Sequence, residues 1–207
     1  MKPDGVLIRL ISWNLYYRRG AAAADIARLI EQYRPDLLLM QEAREGIEAL
    51  PRLVAGQFHA LPWTGKRYGL AVWLPDGGAE IASIDLPFSR LPATFPPRKA
   101  QIVHLGELSV ANVHLSHGQW LNRRQLRRIA QAVPGRLAIV GDFNVLGRVG
   151  LRGFADIGPR GTTHYAQRML PLRLDRCLAR GLDCVHAEIL DRGPSDHRPI
   201  LLDLAPH

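Results

Sequence analysis

Leu137 to Val140 is an unbroken apolar run with β-branched Ile139 and Val140, and it stops abruptly at Gly141-Asp142-Phe143-Asn144. Such a run predicts a strand buried on both faces, its polar residues emerging at the carboxyl end. Asp142 and Asn144 stand two positions apart, so their side chains point the same way. Val6 to Trp13 reads as a similar strand that ends in Asn14. After Gly20, the positions Ala22, Ile26, Leu29, Ile30 and Tyr33 recur at helical spacing, and Pro35 stops that helix. Asp36 to Gln41 is the next buried strand, with Glu42 at its end. Strand, helix, strand predicts a right-handed crossover and a parallel pair. Asn14 and Glu42 then share one rim of the sheet.

Tyr68 to Leu74 and Ala79 to Ile84 alternate like strands and are separated by Pro75-Asp76-Gly77-Gly78, which predicts an antiparallel hairpin. Pro87 to Pro97 holds four prolines and reads as a loop ending in Arg98 and Lys99. Gln101 to Leu105 and Glu107 to Leu115 predict a second hairpin around Gly106, with Asn112 and His114 near its carboxyl end. From Gly118 to Val133 the period is helical again: Leu126, Ile129, Ala130 and Val133 face inward, and Arg123, Arg124, Arg127 and Arg128 crowd the outer face. Gly147 to Gly161 is a glycine-rich connection without a period. Leu172 to Ala179 reads as a strand with Asp175 in its middle, followed by strands over Asp183 to Leu190 and Arg198 to Leu204. Asp196 and His197 lie between the last two.

Composition narrows the class only moderately. With 207 residues, 47% apolar and 22% charged, the chain is expected to form one domain over 1–207. A net charge of +8 favours anionic partners such as nucleic acid, lipid headgroups or phosphorylated metabolites, and equally serves solubility. Cys177 and Cys184 show no metal-ligand spacing and read as thiols in a reducing, cytoplasmic setting. The first thirteen residues lack a signal-peptide pattern, and no run approaches the ~20 apolar residues of a membrane span.

The polar residues at predicted strand ends are Asn14, Glu42, His114, Asp142, Asn144, Asp175, Asp196 and His197. Each has an ordinary structural reading: Asn14 caps a turn, Glu42 opens a helix, His114 is a satisfied sheet histidine, Asp142 and Asn144 are turn residues, Asp175 pairs with Arg173 or Arg176, and Asp196-His197 is a polar turn. Gathered on one rim, they suit phosphate-ester cleavage with a hard divalent cation. Mg²⁺ takes oxygen ligands and needs only one or two carboxylates, and histidines stabilise charge on phosphorus or move protons.

The segments SWN at 12–14, PDLLLMQE at 35–42, NVHL at 112–115, GDFN at 141–144, RLDRCL at 173–178 and SDHRP at 195–199 together resemble the endonuclease/exonuclease/phosphatase superfamily, the deoxyribonuclease I-like and exonuclease III-like enzymes. The resemblance runs over nearly the whole chain. It implies an α/β (α+β) four-layered sandwich, two mixed sheets packed face to face with helices outside. It also implies a Mg²⁺ site, in which Mn²⁺ substitutes, with Glu42 as main ligand, Asn14 assisting and Asp196 close by. Asp142 would orient or deprotonate the attacking water, and Asn144 would hold it. His114 and His197 would bind the scissile phosphate, Asp175 would fix the tautomer of His197, and Arg98 would touch a phosphate.

Two positions depart from that pattern. The Tyr68 to Leu74 segment offers no acidic partner for His114, which leaves the orientation of His114 open. Tyr16 stands where several abasic-site enzymes carry an acid, which points away from that subgroup. The first expectation is therefore a monomeric, metal-dependent phosphodiesterase acting on nucleic acid. The second keeps the chemistry but acts on a phospholipid headgroup or a small phosphorylated metabolite, since the chain has little room for long substrate-gripping insertions. A non-catalytic binding module ranks last, because metal, nucleophile and histidine positions are all filled.

Overall fold

The structure is a computed structural model that describes residues 7–89, 96–166 and 169–207. In chain order the elements are β1 (Ile8–Asn14), α1 (Ala23–Tyr33), β2 (Leu37–Arg44), a 3-10 helix (Ile47–Arg52), β3 (Gln57–Pro62), β4 (Tyr68–Leu74), β5 (Glu80–Asp85), β6 (Lys99–Leu105), β7 (Leu108–His114), α2 (Gln119–Ala132), β8 (Arg136–Asp142), β9 (Ala155–Asp156), β10 (His164–Ala166), β11 (Leu170–Leu172), β12 (Asp175–Arg180), β13 (Leu182–Ile189) and β14 (Ile200–Pro206). Two mixed six-stranded sheets result, ordered β13-β14-β1-β2-β4-β3 and β5-β6-β7-β8-β12-β9. Each contains one parallel pair, β1 with β2 and β7 with β8.

Period-two alternation in doubly buried strands builds the layers. Along β2, Leu37 and Leu39 face the other sheet and meet Val103, Val110 and Val140, while Leu38 and Met40 face outward onto Ile26 and Ile30 of α1. On the second sheet, Ala111, Val113 and Ile139 face outward onto Leu126 and Ile129 of α2. The order is therefore helix, sheet, sheet, helix, as the sequence implied. Each fully buried aliphatic side chain contributes about 1.5–3 kcal/mol.

The helical crossovers α1 and α2 bring the carboxyl ends of β1, β2, β7 and β8 to one rim. Beneath it, a buried polar bridge joins the sheets: Gln41 Nε2 donates to Ser12 Oγ at 3.0 Å and Asn112 Oδ1 at 2.8 Å, and Asn112 Nδ2 donates to the Ala71 carbonyl at 3.0 Å. Such a network fixes the mutual register of the sheets, because an unpaired buried amide is costly.

Several sequence expectations are corrected. Tyr68 to Leu74 and Ala79 to Ile84 do not pair: β4 lies between β2 and β3 in the first sheet, and β5 pairs with β6 in the second. Residues 75–78 carry the chain across the sandwich, and Leu74 and Ala79 both pack on the inter-sheet core. The true hairpin partner of β4 is β3, an edge strand whose exposed Gln57, Ala60 and Pro62 hid it. Leu172 to Ala179 is not one strand, since the chain leaves the sheet at Arg173, whose guanidinium pairs with Asp156 at 2.7 Å. Asp175 therefore opens β12 rather than sitting mid-strand. The hairpin around Gly106 and the parallel β1–β2 pair are found as expected. In the proline-rich stretch, 87–89 and 96–97 have no helix or strand, whereas 90–95, like Val6, lie outside the described residues.

Gly141 shows how tightly the rim is built. It has φ +141° and pairs with Val113, and a Cβ there would stand 2.0 Å from the Val113 carbonyl oxygen. Gly141→Ala should cost at least ~2 kcal/mol in urea denaturation, since strain and clash add. An unchanged midpoint would show that β7 and β8 are not this close.

Candidate active site

Asp142, the last residue of β8, is 1% exposed and forms the centre of the rim. Its Oδ1 accepts the Asn144 backbone N–H at 2.9 Å. Its Oδ2 accepts the Asn14 side-chain N–H at 3.0 Å and faces His114 Nε2 at 3.5 Å and His197 Nε2 at 3.7 Å. The ends of β1, β7 and β8 and the loop before β14 thus meet on one carboxylate. Burial, and then the charge of Asp175, push the Asp142 carboxyl up against the pull of His197.

His197 is held from behind. Its Nδ1 lies 2.8 Å from Asp175 Oδ2, its backbone N–H donates to Ser195 Oγ at 3.1 Å, and its carbonyl accepts the Trp13 indole N–H at 3.0 Å. Burial alone would lower its pKa, but Asp175 and Asp142 overcome that and push it up to about 10. The ring is therefore an imidazolium at neutral pH. His114 is the opposite case. Burial, and then the positive charges of Arg98 and His197, hold it well below the ordinary histidine value, so it is neutral. Its Nδ1 is buried without a hydrogen-bond partner among the described residues and lies 4.0 Å from Glu42 Oε1. The missing acidic partner is replaced by packing: Trp63 stands edge-on to the His114 ring at 5.2 Å.

Glu42 sits at a bulge in β2, where the pairing with β4 shifts between Met40 and Ala43. Tyr16, Glu42 and Asn144 have φ of 58°, 54° and 50°, left-handed conformations that L residues adopt at a cost and that gather at working sites. Glu42 Oε2 accepts the Tyr17 backbone N–H at 3.0 Å, and Asn14 Oδ1 accepts that of Tyr16 at 3.1 Å. Asn144 is anchored by its Nδ2, which donates to the Leu115 carbonyl at 3.1 Å. Burial, and then the charge of Asp142, raise the Glu42 carboxyl, and Asp196 carries a buried Oδ1 without a hydrogen-bond partner among the described residues. Negative charge that its neighbours leave uncompensated, presented on oxygen atoms, fits a hard divalent cation.

Arg98 is 5% exposed. Its guanidinium lies over the Trp63 ring at 4.0 Å, and its Nε and one terminal nitrogen find no hydrogen-bond partner among the described residues. Burial lowers its pKa against the favourable fields of Asp142 and Glu42. Such a fork, desolvated and unsatisfied, suits a phosphate oxygen.

All nine sequence candidates therefore lie around one rim. Sequence reasoning missed Trp63 and His164. His164, on β10, bridges to His197 and lies with its ring 4.3 Å away, its Nδ1 4.0 Å from Asp196 Oδ2. Nothing in the period of the 147–171 stretch marked it. His164, Asp196 and His197 offer ligand atoms within 4.8 Å of one another. A metal there would have to take the place of the proton on His197 Nε2, which the negative charges of Asp175 and Asp142 favour keeping on the ring, so the oxygen set around Glu42 suits a hard cation better.

The model of the endonuclease/exonuclease/phosphatase family matches residues 11–197, a span that runs from β1 to His197. The chain belongs to that family. Hydrolysis of a phosphoester bond is the class of activity that membership supports. Among solved structures of this fold, an endonuclease/exonuclease/phosphatase family protein from Bacteroides thetaiotaomicron is 17% identical with a TM-score of 0.79, covering 99% of this chain and 100% of that one. A functionally unknown conserved protein from Enterococcus faecalis V583 is 20% identical, with a TM-score of 0.75 and coverage of 97% and 100%. D. rerio TDP2 in complex with a single strand DNA product is 19% identical, with a TM-score of 0.73 and coverage of 96% and 98%. No curated protein matches the sequence. Among the described residues, no helix is long and apolar enough to cross a membrane.

Proposed function

We propose that this family member is a divalent-metal-dependent phosphodiester hydrolase, a nuclease that cleaves DNA or RNA by in-line attack of an activated water. The observation that carries the reading is the Asp142 carboxylate, buried and ringed by Asn14, His114, Asn144 and His197. A carboxylate whose proton affinity burial has raised is suited to take a proton from water. As the water oxygen bonds to phosphorus and the bond to the leaving oxygen breaks, the water proton passes to Asp142. Asn144 holds that water beside the carboxylate. His197 as imidazolium and neutral His114 as N–H donor bind the non-bridging oxygens, and Asp175 keeps His197 charged and aimed. Arg98 binds a further phosphate oxygen from the Trp63 side. Glu42, with Asn14 and Asp196, would hold Mg²⁺ or Mn²⁺, which when bound supplies Lewis-acid neutralisation of phosphate charge.

Residues from 14 to 197 contribute, so the chain works as one unit, with Cys177 and Cys184 as free thiols suited to the cytoplasm. Support for nucleic acid over a small phosphorylated metabolite or lipid headgroup comes from the net charge of +8 and from the DNA product held by the same fold in TDP2. Cleavage of a labelled oligonucleotide, with sphingomyelin and a chromogenic diester alongside, tests the substrate class. Cleavage of the lipid alone would overturn the nuclease assignment.

Metal binding has a readout independent of turnover. At 100 times Kd, Mg²⁺ or Mn²⁺ should stabilise the protein by about 2.7 kcal/mol, a rise in Tm of roughly 5–10 °C. Glu42→Ala should remove most of that rise. An equal rise in the variant would place the cation elsewhere.

A further inference from the structure

Beyond the reacting centre, on the α2 side of the second sheet, lies a cavity of about 700 Å³ lined by Gly147, Arg148, Asp156, Arg160, Arg173 and Arg176 among others. Three arginines, Arg160, Arg173 and Arg176, face the Asp156 carboxylate there. Asp156 receives two bonds of 2.7 Å from Arg173, one of 3.3 Å from Arg176, and the Arg160 charge at 3.7 Å. Positive charge is left over. Arg176 is 4% exposed and its Nε is buried with no hydrogen-bond partner among the described residues, although its other nitrogens reach the Gly147 carbonyl at 2.7 Å and Asp156. Arg148, which also lines the cavity, is exposed. A structural clamp for Asp156 alone needs only the bidentate Arg173.

The cavity is chained to the active site on two walls. Gly147 follows Asn144 by three residues, and Arg173 precedes Asp175 by two. Three residues span at most ~11 Å. A strand of duplex DNA carries one phosphate per roughly 3.4 Å of axial rise, and successive phosphates along the strand lie farther apart than that, so this reach is at most about three nucleotides.

We propose that this cavity is a second phosphate subsite, which takes a backbone phosphate of the same strand within about three nucleotides of the scissile bond. The inference rests on the nuclease reading and narrows it: the preferred substrate is a strand of several nucleotides rather than an isolated diester. Arg148 and Arg160 supply the mobile contacts, while Arg173 and Arg176 form the fixed base.

The test is the double variant Arg148→Glu, Arg160→Glu, assayed on single-stranded oligonucleotides of two to twelve nucleotides and on bis(p-nitrophenyl) phosphate. Arg127→Glu, Arg128→Glu, on the exposed outer face of α2, serves as the equal-charge control. The cavity variant should raise KM at least tenfold on strands of four or more nucleotides and leave the chromogenic diester within twofold. Its salt dependence should also become shallower by about one to two in log–log slope, with the control changing KM less than threefold. Equal effects of both pairs, no effect of either, or a parallel loss on the diester would overturn the subsite while leaving the nuclease reading intact. Wild-type protein that cleaves the diester and no oligonucleotide would overturn the nuclease reading, and the subsite with it.

Discussion

Asp142→Asn should lower kcat for phosphodiester hydrolysis by about 10³-fold, with little change in KM. The substitution keeps the size of the side chain and an oxygen for the Asn144 N–H, so β8 stays in register. It removes the one group at the rim centre able to take the water proton. Asn14, which donates to Oδ2 at 3.0 Å, would then face the amide nitrogen and lose its acceptor, as it does in Asp142→Ala. Both variants should fold, and both should be nearly inactive. A rate within tenfold of wild type for either would remove Asp142 from the chemistry.

The second large effect concerns the Asp175–His197 pair. His197→Ala should cost 10²–10⁴ in kcat, and Asp175→Asn a substantial part of that, because both act through one charged ring. Asp175 is a positioning residue, and its role has its own signature. In metal-free protein the His197 ring should titrate near 10 by NMR, and in Asp175→Asn it should move down toward 6.5. The sign of the linked stability follows. A histidine whose folded pKa lies above its unfolded value contributes fully below about 6.5, and the contribution is lost as pH rises through about 10. Metal-free wild type should therefore weaken between those values, and His197→Gln should weaken much less. An unshifted His197 in Asp175→Asn would show that the carboxylate merely packs against the ring.

What could be read in advance was the chemistry at the strand ends, because an apolar run that stops at Asp142 or Asn14 carries both its burial and its polarity locally. Strand partnership was not local. Residues 68–74 alternate in the same way whichever sheet they join, so the diglycine at 77–78 suggested a hairpin where the chain in fact changes sheets. β3 escaped because an edge strand with exposed Gln57 and Pro62 lacks the buried face that marks a strand. Trp63 and His164 act only through tertiary contact, over Arg98 and beside His197, and no spacing in the chain announces either. The same holds for the arginine cavity. Arg148 and Arg160 lie in a stretch without a period, Arg173 just before β12 and Arg176 within it, and only the fold brings the four to one cavity around Asp156.

The account stands on one claim, that these converging groups hydrolyse a phosphodiester with the help of a divalent cation. The most direct measurement incubates EDTA-stripped protein with a 5′-labelled single-stranded oligonucleotide, before and after addition of Mg²⁺ or Mn²⁺. Cleavage that appears only with the cation and disappears in Asp142→Ala and His197→Ala is the predicted result. Cleavage that persists in EDTA or in both variants, or no cleavage of any phosphodiester with either metal, would contradict it.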